Sequence, residues 1–154
     1  MNQSNMIRVL IVDDHPVVRQ GLVAIVELEP DLTVVGIAGD GCSAVEAFRQ
    51  QRPDVTLMDL RMPEMGGVDA ITAICAEFDN ARIVVLTTYD GDEDIYRGLR
   101  AGAKGYLLKD ADPDELLEAI RAVHRGQTCI PPAVGAKLAE RMVIPQLSDR
   151  ELEV

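Results

Sequence analysis

The segment Val55-Thr56-Leu57-Met58 is apolar almost throughout, and it stops abruptly at Asp59. A strand with one wet face alternates apolar and polar side chains, because successive side chains point to opposite faces. A run without that alternation needs cover on both sides, which is the condition of a strand inside a parallel sheet. Further short runs rich in β-branched residues recur at Arg8 to Val12, Thr33 to Ala38, Ile83 to Leu86 and Gly105 to Leu108.

The stretches between these runs have helical spacing. Pro16 to about Glu29 carries Val18, Leu22 and Ile25 at i, i+4 and i+7, with a proline suited to the first turn, before Pro30-Asp31 breaks it. Ser43 to about Gln51 places Val45 and Phe48 at i, i+3, and Val68 to Phe78 sets Ile71, Ile74, Cys75 and Phe78 on one side. Asp92 to Ala101 is shorter and more polar and closes at Gly102. Pro113 to Arg125 turns Leu116, Ile120 and Val123 inward, with Leu117 beside them, and stops at Gly126. Strand and helix therefore alternate five times with short connections. That order predicts an α/β fold, a doubly wound five-stranded parallel sheet with helices on both faces. Ligands of such sheets bind beyond the carboxyl ends of the strands, at the switch in strand order.

The 154 residues suffice for one well-buried domain and a short appendage. No apolar stretch reaches the length of a membrane span and no charged-then-apolar leader opens the chain, so the cytoplasm is the expected location, without membrane attachment. A formal charge of −11 argues against nucleic-acid binding over most of the surface. Cys42, Cys75 and Cys129 are odd in number, widely spaced and lack a C-x-x-C pair, so they read as reduced, mostly packed thiols. Zinc is disfavoured, since only His15 and His124 could assist. After Gly126 the texture changes. Gln127 to Pro132 reads as a linker, and Ala133 to Val143 as one more helix ended by Pro145. Ser148 followed by Glu151 matches a capping box so close to Val154 that a chain cut at the start of a second domain is expected.

The chemistry lies at the ends of the runs, where Asp13-Asp14, Asp59, Thr87 and Lys109 follow the first, third, fourth and fifth. Two carboxylates about 4 Å apart repel by about 4 kcal/mol at an effective dielectric near 20, so such a cluster calls for a cation. Oxygen donors favour a hard ion, and a partly hydrated Mg²⁺ needs only one or two carboxylates. The metal would also neutralise a phosphoryl group in transfer. A carboxylate can accept that group as an acyl phosphate. Lys109 would offer its oxygens a point charge and Thr87 a hydroxyl donor.

Taken singly, each residue has a plainer reading: a strand-end aspartate forms turns and a lysine is solvated. Taken in order, the set is hard to dismiss, and no Ser-His-Asp order, P-loop or G-x-G-x-x-G stretch competes with it. His15 reads as a bystander at the loop mouth, with a proton donor as the alternative, and His124 as a helix-end charge. Met58 reads as core, and Met62 and Met65 as shaping the loop after Asp59. Tyr89 and Tyr96 either face a partner or cover the fourth helix.

Together with Met62-Pro63-x-Met65-x-Gly67 and Gly102-Ala103-Lys104-Gly105-Tyr106, this set resembles the receiver domain of a two-component response regulator over roughly residues 6 to 126. The last eight residues resemble the opening of a LuxR-type helix-turn-helix domain. The whole resembles a NarL/LuxR-type response regulator, and that resemblance implies a flavodoxin-like sheet of strand order 2-1-3-4-5. It also implies a receiver at 6–126, a linker at 127–146 and a truncated DNA-binding domain beginning at 147–154.

For the site, the resemblance implies that Asp59 takes phosphate from a phosphohistidine on a sensor histidine kinase. Asp14, Asp59 and the backbone carbonyl of Arg61 would bind Mg²⁺ (or Mn²⁺), with Asp13 acting through water. Thr87 would touch the phosphoryl group, Lys109 would pair with its oxygens, and Tyr106 would be an aromatic switch that moves inward when Thr87 shifts. A signalling domain rather than an enzyme is implied, capable at most of self-phosphorylation and self-dephosphorylation. A homodimer on phosphorylation is implied too, with DNA contacted through the C-terminal domain. The first and last helices, or the surface around the fourth helix and fifth strand, would carry the dimer contact. Asp110 departs from the pattern, since many receivers have proline there; a cis bond without proline costs about 3–4 kcal/mol. Two other readings stay open, a stand-alone module acting by protein contact and a flavodoxin-like phosphate hydrolase.

Overall fold

The computed structural model describes residues 6–60, 62, 65–87, 92–109 and 111–130, with the backbone alone for 92–95. Its elements run β1 (Ile7–Val12), α1 (Pro16–Glu27), β2 (Leu32–Ala38), α2 (Gly41–Gln51), β3 (Val55–Asp59), α3 (Gly67–Glu77), β4 (Ile83–Thr87), α4 (Asp92–Ala101), β5 (Gly105–Leu108) and α5 (Pro113–His124). The strands form one parallel sheet of order β2-β1-β3-β4-β5. This is the expected fold and strand order, with helix ends displaced by one or two residues. The calls on the segment beyond Ile130 lie outside the described residues.

The non-alternating strands are covered on both faces, as parallel strands require. On one face Leu10, Val12, Met58, Val85 and Tyr106 pack with Phe48 of α2 and with Ile71 and Ile74 of α3. On the other, Val9, Ile11, Leu57, Val84 and Leu107 pack with Val26 of α1 and with Leu116 and Ile120 of α5. Full burial of each such side chain is worth about 1.5–3 kcal/mol. All five residues of β3 and of β4 are buried, which sets these strands at the centre of the molecule.

The first helix is the least committed element. Of its residues only Val26 is buried, while Val18, Leu22 and Ile25 are half-buried. They line a cavity of about 50 Å³ that reaches Leu107 and Leu116, so the stripe legible in sequence meets α5 incompletely. The cysteines depart from the expectation of packed thiols. Cys42, in the first turn of α2, is exposed, and Cys75 and Cys129 are half-buried, where burial raises the pKa of both thiols. Cys129 lies along the outer side of β5: its carbonyl accepts the Tyr106 amide at 2.9 Å, and its amide donates to the Lys104 carbonyl at 3.1 Å. No helix among the described residues is long and apolar enough to cross a membrane.

Candidate functional site

Parallel register brings the strand ends to one edge. Asp59 closes β3 opposite Leu86, and Thr87 closes β4 opposite Leu108. The Lys109 amide then donates to the Thr87 carbonyl at 2.8 Å, and the Asp13 amide to the Ala38 carbonyl at 3.0 Å. Backbone bonds thus fix the roots of all four functional side chains. Asp13, Asp59 and Thr87 are buried at 0%, 3% and 2% exposure, so their charges and hydroxyl act in a region of low dielectric.

The side chains meet tightly. Lys109 Nζ lies 2.9 Å from Asp13 Oδ2 and 3.2 Å from Asp59 Oδ2. Burial alone would lower the pKa of the ammonium; contact with Asp13 and the charge of Asp59 outweigh it, and the pKa is raised. Asp13 is oriented from its own backbone as well. Its Oδ1 accepts the His15 amide at 2.8 Å, and Arg19 Nη1 donates to its carbonyl at 3.1 Å.

His15 stands at the mouth of the nest, its side chain more than half exposed. Its Nδ1 stands 2.9 Å from Asp13 Oδ1, 3.1 Å from Asp14 Oδ1, 3.9 Å from Asp59 Oδ2 and 3.5 Å from Lys109 Nζ. The ring sits where the three carboxylates converge. Its place directly after the acidic pair was the available signal, but sequence could not show that the backbone turn at Asp13 would fold the ring back over the nest.

The donor set fits a hard dication. Asp13, Asp14, His15 and Asp59 each offer a ligand atom, all within 4.8 Å of one another. Asp14 Oδ1 accepts no hydrogen bond among the described residues, while Asp13 Oδ2 is held by its ion pair with Lys109. A buried oxygen in the condition of Asp14 Oδ1 is costly to keep, and a cation would satisfy it. The Arg61 carbonyl and Asp110 lie outside the described residues.

Small residues allow the close approaches around the nest. A Cβ on Gly67 would collide with the Asp59 carbonyl, so glycine lets the start of α3 press against the end of β3, where the Gly67 amide donates to the Leu60 carbonyl at 2.9 Å. Tyr106 is wholly buried, its hydroxyl resting where a Cβ on Gly98 would stand. Its register partner is Val85, two residues before Thr87, so Thr87 and Tyr106 share one face of the sheet. Tyr106, the residue expected to act as a switch, is thus buried beneath α4.

A fold of this order with an acidic nest and a lysine at its carboxyl edge defines a receiver-type architecture. Comparison with known proteins agrees. The model of the response regulator receiver domain matches residues 9–121. The nitrate/nitrite response regulator protein NarP of Escherichia coli K12 is 40% identical over 100% of this chain and 75% of its own length. The transcriptional regulatory protein LiaR of Bacillus subtilis 168 is 41% identical over 97% of this chain and 74% of its own. The crystal structure of a LuxR-family two-component response regulator from Aurantimonas sp. SI85-9A1 superposes with a TM-score of 0.84 at 36% identity, covering 90% of this chain and 99% of that one. RcsB, solved as two dimers bound to two parallel DNAs, superposes with a TM-score of 0.79 at 28% identity, covering 88% of this chain and 69% of that one. The chain belongs to the response regulator receiver domain family, in its NarL/LuxR-type branch.

Proposed function

We propose that Asp59 accepts a phosphoryl group from the phosphohistidine of a sensor histidine kinase. The observation that carries this reading is the placement of Asp59 Oδ2, buried at the strand end and 3.2 Å from Lys109 Nζ within the acidic nest. The Asp59 carboxylate attacks phosphorus, an O–P bond forms, the P–N bond of the donor breaks, and the imidazole leaves with the electron pair. Lys109 supplies a fixed positive charge to the phosphoryl oxygens, and Thr87 a hydroxyl donor. Asp13, Asp14 and Asp59, with the Arg61 carbonyl, would hold Mg²⁺ (or Mn²⁺), which when bound neutralises phosphoryl charge in transfer. Thr87, drawn to the new group, would bias the Tyr106 ring that shares its face, and through it the surface of α4 and β5.

The output is proposed to be transcriptional, with dimer formation on phosphorylation and DNA contact through a C-terminal domain. Relatives named as transcriptional regulators, and a neighbour solved as dimers on DNA, support that reading. The test is incubation with acetyl phosphate and Mg²⁺, followed by intact-mass measurement. Wild type should gain about 80 Da, the mass of one HPO₃ group, and Asp59→Asn should gain nothing. Full labelling of Asp59→Asn would remove the assigned acceptor.

A further inference from the structure

We propose that residues 127–130 form a strap on the outer margin of β5, and that phosphorylation of Asp59 loosens it. This rests on the phosphoacceptor reading above and adds the step by which the site would reach the chain beyond Ile130. The chain leaves α5 through Gly126, whose φ of +91° suits glycine, and the Gln127 amide donates to the Ala122 carbonyl at 2.9 Å. It then runs parallel to β5, with Cys129 bridged to Gly105. The Cys129 amide donates to the Lys104 carbonyl at 3.1 Å, and the Cys129 carbonyl accepts the Tyr106 amide at 2.9 Å. Side chains alternate as in a strand. Cys129 packs on the core shared with α1 and α5, and Ile130 on the opposite core, which holds Tyr106. A Cβ on Gly105 would lie 3.1 Å from the Cys129 carbonyl oxygen, so glycine there leaves the strap room to approach.

Two features make the strap responsive. Its hold is slight: Cys129 makes a single bridge, and Pro131 and Pro132 follow in the sequence with no N–H to donate to a further rung. Its anchors also belong to the surroundings of Tyr106. The amide it holds is that of Tyr106, and Ile130 packs on the cluster that joins Tyr106 to Tyr96 and Leu99 of α4. The Tyr106 ring has no slack, since its hydroxyl stands where a Cβ on Gly98 would be. A ring displaced by Thr87 therefore moves α4 or β5, and either motion disturbs an anchor of the strap. Everything C-terminal to Ile130 is joined to the sheet through this segment, so the disturbance passes along the backbone.

The test is residue-resolved amide hydrogen exchange on the full chain in Mg²⁺, with and without beryllofluoride as the phosphoryl mimic, for wild type and Ile130→Ala. Bound beryllofluoride should speed exchange of the Tyr106 and Cys129 amides on the order of tenfold, an ordinary size for coupling between two sites, and leave the amides of β1 unchanged. Coupling of this kind is reciprocal. Ile130→Ala removes packing far from the acidic nest, yet it should bind beryllofluoride on the order of fivefold more tightly than wild type. A strap that only covers the sheet margin would leave that affinity untouched. Unchanged or slower exchange at Tyr106 and Cys129 with beryllofluoride bound, or equal affinity in the two proteins, would overturn the strap's role and leave the phosphoacceptor site standing. Failure of wild type both to bind beryllofluoride and to gain mass from acetyl phosphate would overturn the two together.

Discussion

The two ends of the parallel sheet treat charge in opposite ways. At the amino end, Arg121 reaches from α5 to the loop before β2. Its Nε donates to Asp31 Oδ2 at 3.0 Å, and its Nη2 to Asp31 Oδ1 at 2.8 Å and Glu29 Oε1 at 2.7 Å. Nearby, the Arg8 amide donates to Asp54 Oδ2 at 2.9 Å, and Arg82 Nη1 to the His124 carbonyl at 2.7 Å. The hydrogen bonds from Arg121 hold the Asp31 carboxyl below its ordinary pKa. At the carboxyl end, Asp13, Asp14 and Asp59 share Lys109 and a histidine. One end matches its charges and closes the structure; the other keeps negative charge in excess and so keeps a place for a cation. Stability and chemistry are divided between opposite edges of one sheet.

The sharpest way to break this contrast is Lys109→Ala. If the nest is short of positive charge, removing Lys109 should cost about 3 kcal/mol in urea unfolding under chelating conditions, and Mg²⁺ should recover part of the loss. A loss no greater than that of a surface lysine would show the nest to be electrically balanced. The Lys109 pKa is raised, so its contribution is complete below the ordinary value of 10.5 and disappears only as pH climbs through the raised value. A smaller effect is expected at the other end. Arg121→Ala should cost about 1 kcal/mol, because the pair is partly exposed, and the cost should not change with Mg²⁺. The smallest effect concerns acid. The Asp31 pKa is depressed, so its pairing stabilises fully above 3.8 and is lost as pH falls through the depressed value. The gap in thermal midpoint between wild type and Asp31→Asn should therefore close in strong acid and persist near neutrality.

Much of this was legible in sequence because burial on both faces leaves a local trace. Val55 to Met58 reads as a strand covered on both faces from its lack of alternation, and every residue of β3 is buried. Asp13, Asp14, Asp59, Thr87 and Lys109 could be placed together because each follows a strand, and parallel strands end at one edge. What escaped was long-range or rotational. The Arg121 clamp joins residues 90 apart in sequence, and nothing local in either segment announces the other. The inward turn of the His15 ring depends on one loop's torsions. The half-buried stripe of α1 has the same periodicity as a buried one, so sequence alone could not tell how closely α5 would cover it.

The lateral margins of the sheet have a bearing on how this molecule behaves in a concentrated solution. Margins that expose unpaired amides and carbonyls serve as templates for sticking to other chains. Along β2 the pairing with β1 slips between Val9 and Leu10, so that Val9 faces Val34 and Leu10 faces Gly36; an irregularity of that kind bends the strand away from a flat template. Along β5 the chain around Cys129 already occupies amide and carbonyl groups of Tyr106 and Lys104. Both borders are thereby blunted against stacking into fibrils, at no cost to the acidic edge between them.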